Sequence, residues 1–445
     1  MLSIMMRNAY HLKQLGCIVL LVFLAGGFLS SSAQQPPTKF DIERARVMLD
    51  FVKDDVKKNY YDPNYHGVDI ETRFKAADDK LKQAASISQM WGIIAQALSD
   101  LGDSHTFFLP PTKRSRTDYG WQMQMVGDHC YVSAIKPGSD AEQKGLTAGD
   151  EILSLDGRTP TRKNIWLIQY LYYSLRPQPV MHLVIKTAAG DQKPMEVLSR
   201  VKDRKQLTDL TGQDIFQLIR ESENEDRLHR QRFSDTDDLL IWRMPQFDLT
   251  REQVDEIIDK AKKRKNLLLD LRGNGGGYEE TLLRMIGNLF DHDITIGDLK
   301  RRKDTKPMIA KTRGSGSFGG KLVVLVDSRS GSAAELLARV VQLEKRGAVI
   351  GDQTSGAVMR ARYYEHQVGQ DIVVFYGVSV TDADIIMADG KSLEGIGVTP
   401  DETRLPAAAD LAANRDPVLA HAASLLGMTI TPEKAAALFP LEWRK

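Results

Sequence analysis

Apolar residues along this chain change their spacing several times, and each change predicts a different kind of structure. From Phe40 onward, Ile42, Val47, Leu49, Phe51, Val52 and Val56 fall near a helical period, and a second such run spans Met90 to Leu101. Both predict amphipathic helices. Beyond Gly120 the pattern shortens to β-like runs, Cys130-Tyr131-Val132 and Met181-His182-Leu183-Val184-Ile185, around the turn-rich stretch Gly145 to Asp150. After a polar, charged connection from Glu221 to Asp238 come three short apolar runs, Leu239 to Trp242, Leu267 to Asp270 and Leu322 to Asp327. Each is followed by helix-compatible sequence, and buried strands alternating with helices predict an α/β domain. From Ala407 to Lys445 the composition is helical again.

The beginning of the chain stands apart. Arg7 and Lys13 precede the apolar run Cys17 to Ala25, and the small residues Ser31-Ser32-Ala33 follow. That is the layout of a secretory signal over residues 1–33, cleaved near Ala33. Its strongly apolar part is shorter than the ~20 residues a membrane-spanning helix needs. Cleavage would remove Cys17 and leave Cys130 alone, so no internal disulfide is expected. A length of 445 residues exceeds one ordinary core. The textures above divide it into a helical region over 36–112, a β-rich unit over 115–202, an α/β domain over 205–405 and a helical tail over 406–445. The basic, polar stretch Thr112 to Asp118 has the composition of a linker, and Arg301 to Phe318 reads as a long loop beside a cleft. A formal net charge of +1 gives no electrostatic reason to expect nucleic acid. There is no His-Glu-x-x-His and the histidines are dispersed, so no metal site is expected.

Candidate chemistry concentrates at two turns. Ser330-Gly331-Ser332-Ala333-Ala334-Glu335 lies between an apolar strand and an amphipathic helix. A serine there sits at a helix N-terminus, where unpaired N–H groups and the helix dipole favour the negative charge of acyl transfer. Ser332 as a plain N-cap is the competing reading. The second turn, Leu271-Arg272-Gly273-Asn274-Gly275-Gly276-Gly277, follows the strand ending at Asp270. Its glycines can expose an N–H as a second oxyanion donor beside the Ala333 amide. It lacks the Gly-Lys-Ser/Thr ending of a phosphate loop.

These two turns in this order, with Gly351-Asp352-Gln353-Thr354-Ser355-Gly356 and Glu394-Gly395-Ile396-Gly397-Val398-Thr399-Pro400-Asp401, resemble the C-terminal-processing serine peptidases, and more closely their tricorn-type branch. Many members use a serine-lysine dyad, with the lysine directly after the Gly-x-x-Thr-x-Gly segment; Ala357 stands there in this chain. The tricorn-type branch instead draws a Ser-His pair from the N-terminal helical region and a glutamate from near the Gly-Val-x-Pro-Asp segment. Ser104-His105 and Glu394 match those positions. The resemblance therefore implies a tetrad of Ser332, His105, Ser104 and Glu394, with Ala333 and a loop glycine, Gly276 in preference to Gly277, as oxyanion donors. Arg329, Gly331 and Ala334 depart from many relatives at positions without essential chemistry in this scheme. The segment Gly145 to Gly157 resembles the most recognisable part of a PDZ domain. By that resemblance Gly120, Trp121, Gln122 and Met123 would bind a peptide as an added strand. The implied protein is multi-domain: an N-terminal helical region, a PDZ-like β domain and a crotonase-like α/β catalytic domain. It would hydrolyse polypeptide substrates without a cofactor after export to the bacterial periplasm or beyond. A peptide-binding protein of the same fold that does not cleave is the alternative, and the sequence leaves the oligomeric state open.

Overall fold

The computed structural model describes residues 36–111, 115–203, 230–369 and 373–443. The signal at 1–33 and residues 221–229 of the connection beginning at Glu221 lie outside the described residues. Helix α1 (Lys39–Asn59) starts at a capping box in which Thr38 Oγ1 accepts from the Asp41 amide and Asp41 returns a bond to the Thr38 amide. It buries Ala45, Met48, Leu49, Val52 and Val56, while Val47 and Phe51 face outward. The seam is thus shifted from the one the apolar run suggested, and Phe51 stacks on His366 instead. Helices α2 (Ile70–Leu81) and α3 (Ile87–Ser99) complete a small bundle. The chain then leaves it through the turn 100–106 into a short strand, β1 (Phe107–Leu109).

The expected linker is partly a strand. β2 (Ser115–Asp118) precedes a compact module with strands β3 (Trp121–Val126), β4 (His129–Ile135), β5 (Glu151–Leu155), β6 (Val180–Lys186) and β7 (Gln192–Leu198), and with helices α4 (Asp140–Gln143) and α5 (Ile165–Tyr170). The five strands pair in the order β3-β4-β5-β6-β7, so β3 is an edge. A final strand, β8 (Arg200–Asp203), returns to pair antiparallel with β2 and closes the module at its root.

The remaining chain builds two sheets. Strands β9 (Arg232–Asp235), β10 (Leu239–Arg243) and β11 (Asn266–Asp270) are followed by the hairpin β12 (Ile294–Arg301) and β13 (Thr305–Ala310). Strands β14 (Lys321–Val326) and β15 (Ala348–Gly351), the long hairpin β16 (Met359–Val368) and β17 (Val374–Met387), and the short β18 (Glu402–Thr403) complete the set. The first sheet runs β18-β15-β14-β11-β10-β9, parallel except for β9. Its central strands β10, β11, β14 and β15 are buried on both faces, as parallel strands require. Leu240, Trp242, Leu267, Leu269, Val324 and Val326 pack under helices α6 (Arg251–Ala261), α7 (Glu279–Leu289) and α8 (Ala333–Leu343). Leu239, Ile241, Leu268, Val323 and Leu325 point the other way. They meet α10 (Pro417–Leu425) and α11 (Pro432–Leu438), which follow the short α9 (Ala408–Ala412). The helical tail is therefore the second cover of this sheet and not an appendage.

The second sheet joins the N-terminal bundle to the rest. Its order is β1-β17-β12-β13, with β16 also on β17. Arg301 to Phe318, read from sequence as a loop, contains the end of β12 and all of β13. β1 pairs antiparallel with β17, Phe107 opposite Ser379 and Leu109 opposite Gly377. Phe108 is fully buried among bundle residues and Tyr376, Val378 and Val380 of β17. This pairing fixes the turn 100–106 against the sheet.

Candidate active site

Ser332 lies at the N-cap of α8, and its backbone is far from helical, with φ 53° and ψ −118°. A non-glycine residue held there costs on the order of 1–3 kcal/mol, so neighbouring bonds must impose it. Its amide lies 2.9 Å from both the Ala357 carbonyl and Glu335 Oε2. The preceding turn is tied down as well. Ser330 Oγ accepts from the Asp327 amide and donates to the Leu271 carbonyl, and the Gly331 amide donates to the Asn274 carbonyl. Ser332 occupies the N-cap position with Glu335 at N3, as the competing reading has it, but its Oγ makes no side-chain cap bond to the helix.

The glycine loop lies directly against this turn. A Cβ added at Gly276 would come within 2.6 Å of Ser332 Cβ and 3.1 Å of the Ala333 nitrogen, so a side chain there is excluded. Asn274 is fully buried and shapes the loop: its Nδ2 donates to the Met244 carbonyl and its Oδ1 accepts from the Gly276 amide at 2.8 Å. Gly276 N–H is thereby engaged. The amides of Gly277 and of Ala333 have no partner among the described residues, which turns the preference between the two glycines toward Gly277.

Ser104, His105 and Glu394 meet across a separation of 290 residues. Ser104 Oγ donates to Glu394 Oε2 at 2.9 Å, and the Ser104 amide donates to Oε1 at 2.7 Å. Because that hydroxyl hydrogen points at the carboxylate, its oxygen accepts from His105 Nδ1 at 2.7 Å. The protonated nitrogen is then Nδ1, and Nε2 keeps its lone pair. Burial holds His105 below the ordinary imidazole range, with the Asp103 charge opposing, and burial raises the Glu394 carboxyl. Glu394 Oε2 also accepts from the Val358 amide at 2.7 Å. Since Ala357, next to Val358, holds the Ser332 amide, a continuous hydrogen-bonded path runs from the serine to the histidine pair. No hydrogen bond joins Ser332 Oγ to His105 among the described residues, a separation that substrate-free active sites often show.

Residues 238–404, the span holding Ser332, the glycine loop and Glu394, match Peptidase family S41. This span is a peptidase family S41 domain. It is 25% identical over 374 residues to the chloroplastic carboxyl-terminal-processing peptidase 1 of Arabidopsis thaliana, covering 78% of this chain and 69% of that protein. It is 24% identical over 274 residues to the tail-specific protease of Haemophilus influenzae, covering 57% of this chain and 36% of that protein. With the putative tricorn protease homolog 2 of Streptomyces coelicolor it shares 23% over 401 residues, 83% of this chain and 31% of that protein. The chain thus spans about a third of the length of these last two relatives. A crystal structure of mature CPAF superposes with a TM-score of 0.62 at 16% identity, over 84% of this chain and 95% of that one, a likeness of fold. With this S41 domain the protein is a serine-type peptidase, a hydrolase.

Two carboxylates that the sequence reading left aside support the S41 site. Glu335 is fully buried, forms no ion pair among the described residues, and accepts five hydrogen bonds. Thr354 Oγ1 and the Gly356 amide bind Oε1; Ser355 Oγ and the amides of Ala357 and Ser332 bind Oε2. Burial pushes this carboxyl up; the five donors act in the opposite direction and favour the ionised form. Its signal was the Ser-x-x-Glu spacing of a capping box, Ser332 to Glu335. Asp103, also buried, takes the amides of His105 and Thr106 and the Thr381 hydroxyl on Oδ1, and the Tyr60 hydroxyl on Oδ2. Its signal was an Asx turn at Asp103-Ser104-His105.

The groups expected to receive a peptide on the module are engaged within the chain. Gly120 N–H donates to Asp118 Oδ1, Trp121 and Met123 are buried in the module core, and Gln122 is half-buried. Farther along β3, Gln124 donates to Asp327 and Ser328 Oγ donates to the Met125 carbonyl. The peptide-binding edge expected from sequence therefore faces the turn before Ser332.

Replacing Glu335 by Gln keeps the shape but puts an NH2 against donors, leaving buried N–H groups unpaired. The Glu335→Gln protein should lose about 1–3 kcal/mol of stability, read as a lower urea midpoint at unchanged slope.

Proposed function

We propose that this peptidase cleaves polypeptides through an acyl-enzyme at Ser332, after export from the cell. The observation that carries the reading is Ser104 bridging His105 Nδ1 to Glu394, with Nε2 left as the acceptor for the Ser332 proton. His105 takes that proton as general base while Ser332 Oγ attacks the scissile carbonyl. The oxyanion is received by the amides of Gly277 and Ala333 at the positive end of α8. His105 then gives the proton to the leaving amine. Water, deprotonated by the same imidazole, releases the acyl group and restores Ser332. Ser104 and Glu394 orient the imidazole and stabilise its charged form, as the carboxylate does in a Ser-His-Asp arrangement. Unstructured chains suit a nucleophile placed between the bundle, the module and the sheets.

On an unstructured polypeptide, with fragments followed by mass spectrometry, Ser332→Ala should lower cleavage by a factor on the order of 10⁶. A serine-reactive phosphonate should label the parent at Ser332. Cleavage by the alanine variant, or labelling elsewhere, would remove Ser332 as nucleophile. Because His105 is held below 6.5, its base form persists to mildly acidic pH. The acid limb of kcat/KM should therefore have its midpoint below pH 6.5, whereas a midpoint above it would exclude His105 in this environment. Intact-mass measurement of protein recovered from an exporting bacterial host should show loss of residues 1–33; a retained leader would count against export.

A further inference from the structure

A cleft of about 230 Å³ opens between β3 and β4 of the module and the C-terminal ends of β10, β11, β14 and β15. None of Ser332, His105, Glu394 or the two loop glycines lines it. Six guanidinium groups do: Arg232, Arg243, Arg272, Arg329, Arg404 and Arg415. The lining carboxylates are Asp327, Asp352 and Asp416, and each is already engaged. Asp416 is clamped by Arg272, which also grips both oxygens of the buried Asp270. Asp352 is paired with Arg162 at 2.6 Å and accepts from the Gly127 amide. Asp327 accepts from Gln124, the Gly273 amide and the Arg329 amide, with the Arg329 guanidinium at 3.5 Å.

Three of the six guanidiniums are left without a carboxylate of their own. Among the described residues the Arg404 side chain has no polar partner, and that of Arg232 donates to the Pro440 carbonyl. Arg243 reaches only Asp270, at 3.8 Å, a carboxylate Arg272 has already claimed. Burial holds Arg232 below its ordinary range, helped by the Arg243 and Arg230 charges and opposed by those of Glu442 and Asp270; burial does the same to Arg243, with Asp270 and Asp327 opposing and Arg272 and Arg329 adding to it. Like charges gathered in a partly desolvated cleft are costly unless an anion completes them. Guanidinium forks match the planar oxygens of carboxylate and phosphate. We propose that this cleft is a receptor for a multiply charged oxyanion, bearing carboxylate or phosphate groups, held by Arg232, Arg243 and Arg404. An occupant there bridges the module to the sheet ends, beside the turn that leads to Ser332.

The test uses the full chain carrying Ser332→Ala, titrated calorimetrically with pyrophosphate, with citrate and with a tetraglutamate peptide, against chloride at matched ionic strength. Saturable single-site binding by at least one of the three is expected, weakened about 10-fold or more by Arg404→Gln and again by Arg243→Gln. Binding of tetraglutamate alone assigns the oxyanion to a polypeptide; binding of pyrophosphate or citrate assigns it to a small solute. Thermal unfolding without ligand checks the variants: removing an unpaired charge should leave the midpoint unchanged or raise it. Failure of all three probes to bind overturns the proposal. So does binding that survives both substitutions, or a midpoint that falls in each variant as it would for arginines serving only structure.

Discussion

The site depends on one buried carboxylate. Ser332 adopts a backbone conformation that no helix or strand would impose, and Glu335 is the group that imposes it. Its five donors come from three places: the nucleophile itself, the hydroxyls of Thr354 and Ser355, and the amides of Gly356 and Ala357. Thr354 Oγ1 in turn accepts from the Val398 amide, which ties in the segment after Glu394. A carboxylate with enough donors needs no cation, and the lack of a competing charge suits a site whose electrostatics must serve a developing oxyanion.

The histidine arm is built by separate means. His105 belongs to the N-terminal bundle, and the pairing of β1 with β17, the burial of Phe108, the bonds of Asp103 and Thr106 to Thr381 and those of Ser104 to Glu394 fix it to the sheets. Tyr170, at the end of α5, donates to the Phe108 carbonyl and adds a further attachment, from the module. Serine and histidine are thus placed by independent parts of the chain that meet at Glu394.

How far the sequence revealed this follows the range of each interaction. The Ser332 turn and the glycine loop were legible because strand, turn and helix signals all lie within a few residues of them. The meeting of Ser104 with Glu394 spans 290 residues, and no periodicity encodes it; it came from family resemblance alone. β2 was read as linker because its partner β8 lies far along the chain. β13 contains Pro307, which weakens a strand signal, yet β13 is an edge, where a proline is tolerated. The tail's role as a cover was hidden because Leu239, Ile241 and Leu268 lie in runs that are apolar throughout, which say a strand is buried without saying what buries it. Glu335 and Asp103 had local signals, but their non-local partners make the difference between a cap and a clamp.

The module meets the nucleophile turn through polar contacts. Gln124 shares Asp327 with the Gly273 and Arg329 amides, and Ser328 caps the Met125 carbonyl. If β3 moved away, Asp327 would keep both amide donors, which lie in the turns after β11 and β14, and Ser330 would keep its bonds to Leu271 and Asp327. None of the five Glu335 bonds passes through the module. The geometry at Ser332 is therefore specified without the module, while the contact between β3 and the nucleophile turn is made by groups that water could replace. Rigidity at the nucleophile and freedom at the β3 interface are separable in this fold, because one carboxylate holds the first and a different one is shared with the second.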